Sequence, residues 1–419
     1  MLDRTLAPPF QRSSAFDLHQ PEKNTLSNGV PLYLVRGGDQ NVLKVELTAQ
    51  AGRWAEETRG AAYFSAQLLS KGTSRKSSFD IAQIFDRFGA HLEISAGLDF
   101  ASISLYSLTR NLEPALYLLQ ELLTDATFPD RELAQVQSIY LQNLRVNSEK
   151  TSFLASKLFR KTLFGEHHPY GTEPDEKDVS SLTRDQLVTH SRRFHNGLLA
   201  FVSGKIDAKS ETLLNTVLGT LPAQPSATAA AAQIKGSIIN QYQEKEGSVQ
   251  ASIRMGKKSV MRSHPDYADV LFLSHILGGY FGSRLMKNIR EEKGLTYGIH
   301  ASLHALLQDS YIAIGADVNK ENVQLTIDEI KKELRRLREE PIDSNELETA
   351  RNHFIGGLQS ELTTSFAHAD KIKTITLFGL DHAYYNNLIA RIERISAADL
   401  QRVAAQHFSE ESFLEVAVG

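Results

Sequence analysis

Hydrophobic and polar positions along this chain fall into two stretches that run through the same order of periods. In the first, strand-like alternation over residues 42–47 gives way to helical spacing over 61–69 and 78–88, and alternation returns over 91–107. In the second, alternation over residues 250–255 precedes helical spacing over 267–277 and 282–292, and alternation returns over 295–318. A period of two marks half-buried strands and a period near 3.6 marks amphipathic helices. Longer helical stretches follow, clearest at residues 321–339 and 344–362. Runs of strands and then helices, joined by hairpins, predict an α+β fold with mostly antiparallel sheets.

The recurrence extends to the residues themselves. Thr151-Ser152-Phe153 returns as Thr364-Ser365-Phe366, an offset of 213, and Leu163-Phe164-Gly165 returns as Leu377-Phe378-Gly379, an offset of 214. Leu182-Thr183 and Leu187 match Ile395-Ser396 and Leu400, Phe194 matches Phe408, and upstream Asn111 pairs with Asn322. These matches are collinear, which indicates a duplicated domain. The segment PAQPSATAAAAQIK is poor in bulky apolar groups and suits a linker. The predicted organisation is therefore one homologous half over residues 1–222, a linker over 223–236 and a second half over 237–419.

Composition narrows the function. A net charge of −4 over 419 residues leaves no basic surplus for nucleic acid, and no apolar run approaches the length of a bilayer-spanning helix. With no cysteine, disulfides, thiolate metal sites and cysteine nucleophiles are excluded. The first residues lack the apolar core of a secretory signal, so a cytoplasmic setting is expected, or a periplasmic one after removal of a leader.

Several segments resemble one known family. Leu26-Ser27-Asn28-Gly29-Val30 followed by PLYLVR is similar to the opening strand of the pitrilysin and mitochondrial processing peptidase family. Gly52 and the helix leading to Lys71-Gly72-Thr73 fit the same pattern, and GGYFGSRLMKNIREEKGLTYGI at residues 278–299 resembles its C-terminal signature. The resemblance runs from about residue 24 to residue 408. It implies two α/β-roll domains that pair with a second such unit around a peptide chamber. Active members carry H-x-x-E-H on the first helix, in which two histidines hold zinc and the glutamate serves as general base. A further glutamate ligand comes from a helix downstream.

In this chain the motif positions, aligned on Lys71-Gly72-Thr73, carry other residues. Tyr63 and Gln67 stand at the histidine positions, Ala66 at the general-base position, and Gln142-Asn143 where the distal glutamate belongs. Neutral Gln and Asn lack the charge to hold zinc, and Ala66 cannot move a proton. The expectation is that this chain carries no metal and no cofactor of its own, with zinc in a partner subunit.

Other candidates are weaker. His300 and His304 have i,i+4 spacing, but in an alternating stretch such residues lie ~13 Å apart. His167-His168 beside Glu166 reads as a surface loop, and Gly278-Gly279 alone is a turn signal too short to cradle a phosphate.

Arg290 and Tyr297 are retained, seven residues apart. From spacing alone, an arginine ending a helix complements its dipole and a tyrosine opening a strand is a packing residue. The resemblance supplies a second reading, in which the pair acts in trans at another subunit's zinc site. Tyr297 then donates to the developing oxyanion, while Arg290 fixes a substrate carbonyl or orients Tyr297. Residues 277–284 replace the long glycine-rich loop of the eukaryotic non-catalytic subunit with only LGGYFGSR. The expected function is a non-catalytic subunit of a heterodimeric metallopeptidase, paired with a zinc-motif-bearing homologue and acting on peptides. The alternative is an inert homodimeric peptide-binding or scaffolding protein of the same fold.

Overall fold

A computed structural model describes residues 16–226 and 239–419. Most of the linker expected at 223–236 lies outside the described residues; its first part is tied down, with Gln224 bridging to Asn196.

The first sheet comprises β1 (Glu22–Thr25), β2 (Pro31–Arg36), β3 (Val42–Ala49), β4 (His91–Ala96), β5 (Ala101–Leu108) and β6 (Leu199–Gly204), in the order β1-β2-β6-β3-β5-β4. The second comprises β7 (Gln241–Gln243), β8 (Gln250–Lys258), β9 (Thr296–Ala305), β10 (Ser310–Asn319) and β11 (Leu414–Val418), in the order β7-β11-β8-β10-β9. Without β1, the two orders are the same. The one parallel pairing also falls at the same place in each, β2 with β6 and β7 with β11. The duplication read from collinear residues is thus a duplication of topology, and the fold is α+β as the periods predict.

Each element keeps close to its predicted range. Helices span Ala61–Leu68, Ser78–Phe88, Tyr267–Gly278, Val323–Glu339 and Ser344–Ser360. Ser77 shows why one of them starts where it does: its hydroxyl accepts from the Asp80 amide while Asp80 returns the bond to the Ser77 amide, a closed capping box. The stretch 282–292 is the exception. Its regular part, Met286–Glu292, is a π-helix, and Lys293 N–H reaches back five residues to the Asn288 carbonyl at 3.1 Å.

The halves are interlocked. Helix Thr151–Phe164, from the first half, packs on β8 and β11 of the second sheet, and its counterpart Ser365–Leu377 packs on β2 and β6 of the first. Strand alternation makes this workable, because successive residues of β2 and β6 face opposite sides. Leu34 and Val202 point into the first-half core, whereas Val35 and Phe201 join Ile372 and Ile375 of the second. Gly256 on β8 marks the closest approach: a Cβ there would lie 2.2 Å from the Ile312 carbonyl oxygen and 2.6 Å from Phe159. On β3, Lys44 and Glu46 face helix Ser365–Leu377, with Lys44 Nζ 2.8 Å from Glu46 and 3.0 Å from Asp370, and Lys373 Nζ 2.5 Å from Glu46.

The EHHPYG segment corrects the expectation of a surface loop. Glu166 and His167 are exposed, but His168 and Tyr170 are buried against Phe164 and Trp54. The Tyr170 hydroxyl donates to Asp99 in the turn of the first hairpin and accepts from the Gln308 amide at 3.2 Å in the turn of the second. Asp99 also accepts from Leu307 N–H at 3.1 Å. A loop holding two hairpin tips together must be buried, whatever its polarity.

Candidate functional site

Helix Ala61–Leu68 carries the three N-terminal motif positions. It starts at Gly60, whose φ of +93° favours glycine, and Glu56 caps it by accepting from the Gly60 and Ala62 amides at 3.1 and 2.9 Å. Burial pushes the Glu56 carboxyl pKa up. Ala66 is buried and Gln67 half-buried. Tyr63 stays partly exposed, its ring 5.2 Å from that of Tyr140 on helix Asp130–Ser148. Burial raises the Tyr63 pKa, so its oxygen remains a neutral phenol at physiological pH. Asn143 lies one turn beyond Tyr140, exposed.

The two helices that should converge on zinc therefore do pack together, yet none of Tyr63, Ala66, Gln67 and Asn143 is an imidazole, carboxylate or thiolate. That donor set does not fit the ion. Among the described residues, no three His, Cys, Asp or Glu side chains gather as a metal site. His300 and His304 lie on β9 as expected; His304 stacks on Tyr311 at 4.6 Å and meets Ser302 Oγ at 2.9 Å.

The second constellation is built on the π-helix Met286–Glu292 and the strand that follows it. Three links pin this segment. Arg284 makes a fork-to-fork pair with Glu346 at 2.7 and 2.9 Å. Asn288 donates to Glu329 and Glu333 at 3.0 and 2.7 Å. Lys293 lies 3.5 Å from Glu329. Gly294, at φ +61°, ends the helix and releases the chain into β9.

The first residues of β9 do not follow a regular ladder. Ile299 faces Ala316 and Thr296 faces Val318, so Tyr297 and Gly298 together oppose the single residue Asp317. Such a bulge re-aims a side chain. It is held by the Thr296 hydroxyl, which donates to the Asp317 carbonyl at 2.7 Å and accepts from Gly298 N–H at 3.2 Å.

The outcome is a tyrosine with 89% of its surface exposed. Arg290 lies beside it, its guanidinium carbon 4.8 Å from the Tyr297 ring centre and 4.9 Å from that of Phe281. The structure thus brings Arg290 and Tyr297 together, and the reading of Tyr297 as a packing residue fails because its ring packs on little but the guanidinium. Among the described residues, no hydrogen bond, ion pair or ring contact joins this pair to Tyr63, Ala66, Gln67 or Asn143. Phe281 is a neighbour that sequence reasoning missed: two adjacent aromatics in a glycine-containing loop have no periodicity to say which one faces solvent.

Comparison with known proteins matches two family models in succession along the chain, the second beginning within the first half. The family model described as Insulinase (Peptidase family M16) matches residues 38–170, and that described as Peptidase M16 inactive domain matches residues 182–354. The chain belongs to the M16 peptidase family. Among M16 relatives, the uncharacterized zinc protease YmxG of Bacillus subtilis is 23% identical over 396 residues, covering 93% of this chain and 96% of YmxG. A crystal structure of a peptidase M16 inactive domain from Pseudomonas fluorescens superposes with a TM-score of 0.86 at 23% identity, covering 96% of this chain and 98% of that one. The periplasmic protease PqqL from Escherichia coli superposes with a TM-score of 0.78 at 16% identity, and there the whole of this chain covers 49% of PqqL. No helix among the described residues is long and apolar enough to cross a membrane.

Proposed function

We propose that this M16 chain is a zinc-free subunit that completes the active site of a zinc-bearing homologue. Its contribution is Arg290 and Tyr297, delivered in trans to the peptide bond being cleaved. The carrying observation is the geometry of that pair: a bulge turns Tyr297 fully outward, and the Arg290 guanidinium lies 4.8 Å from its ring. Among the described residues, no hydrogen bond engages the Tyr297 hydroxyl.

In this reading the Tyr297 hydroxyl donates a hydrogen bond to the oxygen of the tetrahedral intermediate, where a fixed donor counts for more than it does against the ground-state carbonyl. Arg290 presents its remaining N–H groups to a substrate carbonyl while its face holds the Tyr297 ring. Tyr63, Ala66, Gln67 and Asn143 supply neither metal nor base, so no peptidase activity is expected of the chain alone. That this chain matches about half of PqqL in length supports pairing with a second unit of the same size.

The test is cleavage of a quenched fluorescent peptide by this chain, by a zinc-motif-bearing relative from the same organism, and by both together. Activity of the mixture well above the sum of the parts is expected, reduced on the order of 10²- to 10³-fold by Tyr297→Phe. A mixture no faster than the relative alone contradicts the reading and leaves the inert homodimeric peptide-binding or scaffolding protein.

A further inference from the structure

The Arg290–Tyr297 pair has a third member, and its placement carries a statement about substrate. Residues 280–283 fold so that neighbours point in opposite directions. Tyr280 turns inward and stacks on His275 at 4.9 Å with the rings 14° from parallel. Gly282 permits this, since a Cβ there would lie 2.9 Å from the Tyr280 ring. Phe281 is thereby turned outward and keeps 60% of its surface exposed. It belongs to none of the three hydrophobic clusters formed by the described residues.

Two exposed aromatic rings thus lie against one guanidinium, at 4.9 and 4.8 Å. Contact with aromatic faces restrains a guanidinium without using its N–H groups as hydrogen-bond donors. Exposed aromatic side chains grouped around an arginine are the composition of a binding hot spot, not of an ordinary solvated face. The Phe281 ring adds what the other two groups lack, an apolar surface with no hydrogen-bonding capacity.

We propose that Phe281 is a substrate-binding residue of the same site. Its ring forms an apolar subsite beside the peptide bond addressed by Arg290 and Tyr297, selecting peptides with an aromatic or branched aliphatic side chain next to that bond. Its second role is to restrain the Arg290 guanidinium together with Tyr297. The inference rests on the shared-site reading above.

The test uses peptides identical except at one position, which carries Phe, Leu, Ser or Asp, with the cleaved bond located by mass spectrometry. They are incubated with the equimolar mixture of this chain and the zinc-bearing relative. Wild type is expected to favour Phe and Leu over Ser by roughly 10-fold in kcat/KM. Phe281→Ser is expected to erase that preference mainly through KM, and Phe281→Leu to retain most of it while lowering kcat through the loosened Arg290. Because Phe281 lies outside the core, circular dichroism of both variants should match wild type. A Phe281→Ser mixture that keeps the full Phe-over-Ser ratio overturns this inference and leaves the shared site standing. A wild-type mixture no faster than the relative alone overturns the shared site and this inference with it.

Discussion

Replacing Glu46 by glutamine should weaken the junction between the two halves and lower the stability of the whole chain. Glu46 lies on β3 with 3% of its surface exposed, between Lys44 at 2.8 Å and Lys373 at 2.5 Å. Lys44 is 6% exposed. Burial alone would lower the Lys44 pKa, but hydrogen bonds to Glu46 and Asp370 outweigh it and hold the ammonium above its ordinary value. Glu46→Gln removes the buried negative charge and leaves Lys44 only Asp370, half of whose side chain is in water. Breaking a buried pair at one partner costs roughly 3–5 kcal/mol, and the surviving Asp370 contact places this case at the low end, about 3 kcal/mol. At a urea dependence of about 3 kcal/mol per M, the unfolding midpoint should fall by roughly 1 M. Two probes make the assay decisive: Trp54, the single tryptophan, reports on the junction, and far-ultraviolet circular dichroism reports on both halves. The transitions should coincide in wild type and move together in the variant. The double replacement Lys44→Met with Glu46→Leu should recover much of the loss, since no buried charge remains unpaired. An unchanged midpoint for Glu46→Gln, or separate transitions for the two probes in wild type, would refute the interlocked account.

Other expectations follow from the same contacts. Tyr170→Phe deletes the hydroxyl shared by Asp99 and Gln308 and should cost about 1–3 kcal/mol, with faster amide exchange at both hairpin tips by mass spectrometry. Gly256→Ala forces a methyl against the Ile312 carbonyl and Phe159, so its Tm should drop; an unchanged Tm would show that the swapped helix can yield. Burial lowers the pKa of His168, His190, His195 and His368, and that of His275 to about 4, below the unfolded value of 6.5. The folded state therefore binds fewer protons than the unfolded one in this range, so stability is full above about 6.5 and falls as the pH drops toward 4. His275 alone accounts for about 3 kcal/mol of that loss. Glu56 and Asp99, pushed up by burial, oppose the trend. Urea unfolding at pH 7 and pH 4.5 checks the sign, and His275→Gln should flatten the slope. Equilibrium dialysis against zinc should leave no stoichiometric metal on the chain; one bound equivalent per chain would contradict the reading of Tyr63, Ala66, Gln67 and Asn143.

The periods found the strands and helices because burial of one face imposes them, and β3, β8 and the long helix Val323–Glu339 were legible for that reason. What periodicity cannot express is which sheet a helix covers. Thr151-Ser152-Phe153 and Thr364-Ser365-Phe366 mark equivalent helix starts, yet nothing in their spacing says that each helix crosses to the other half. The 166–171 segment reads as surface because His, Pro and Gly usually mean surface; the burial of His168 and Tyr170 follows from tertiary contacts, which for Tyr170 reach two hairpin tips distant in sequence. At the candidate site, Arg290 and Tyr297 stood out through their motif. The bulge that exposes Tyr297 and the loop that turns Phe281 outward are backbone departures from the regular pattern, and these leave no trace in hydrophobic alternation.

The central claim, that Tyr297 works in another subunit's active site, is tested most directly by competition. A fixed equimolar mixture of wild-type chain and zinc-bearing relative is titrated with excess Tyr297→Phe chain while peptide cleavage is followed. Tyr297→Phe leaves the fold intact, because the ring is exposed, so the variant should displace wild type and drive the rate down toward that of the relative alone. A rate that stays unchanged while size-exclusion chromatography shows the variant incorporated into the complex would contradict the account, for the Tyr297 hydroxyl would then contribute nothing to cleavage.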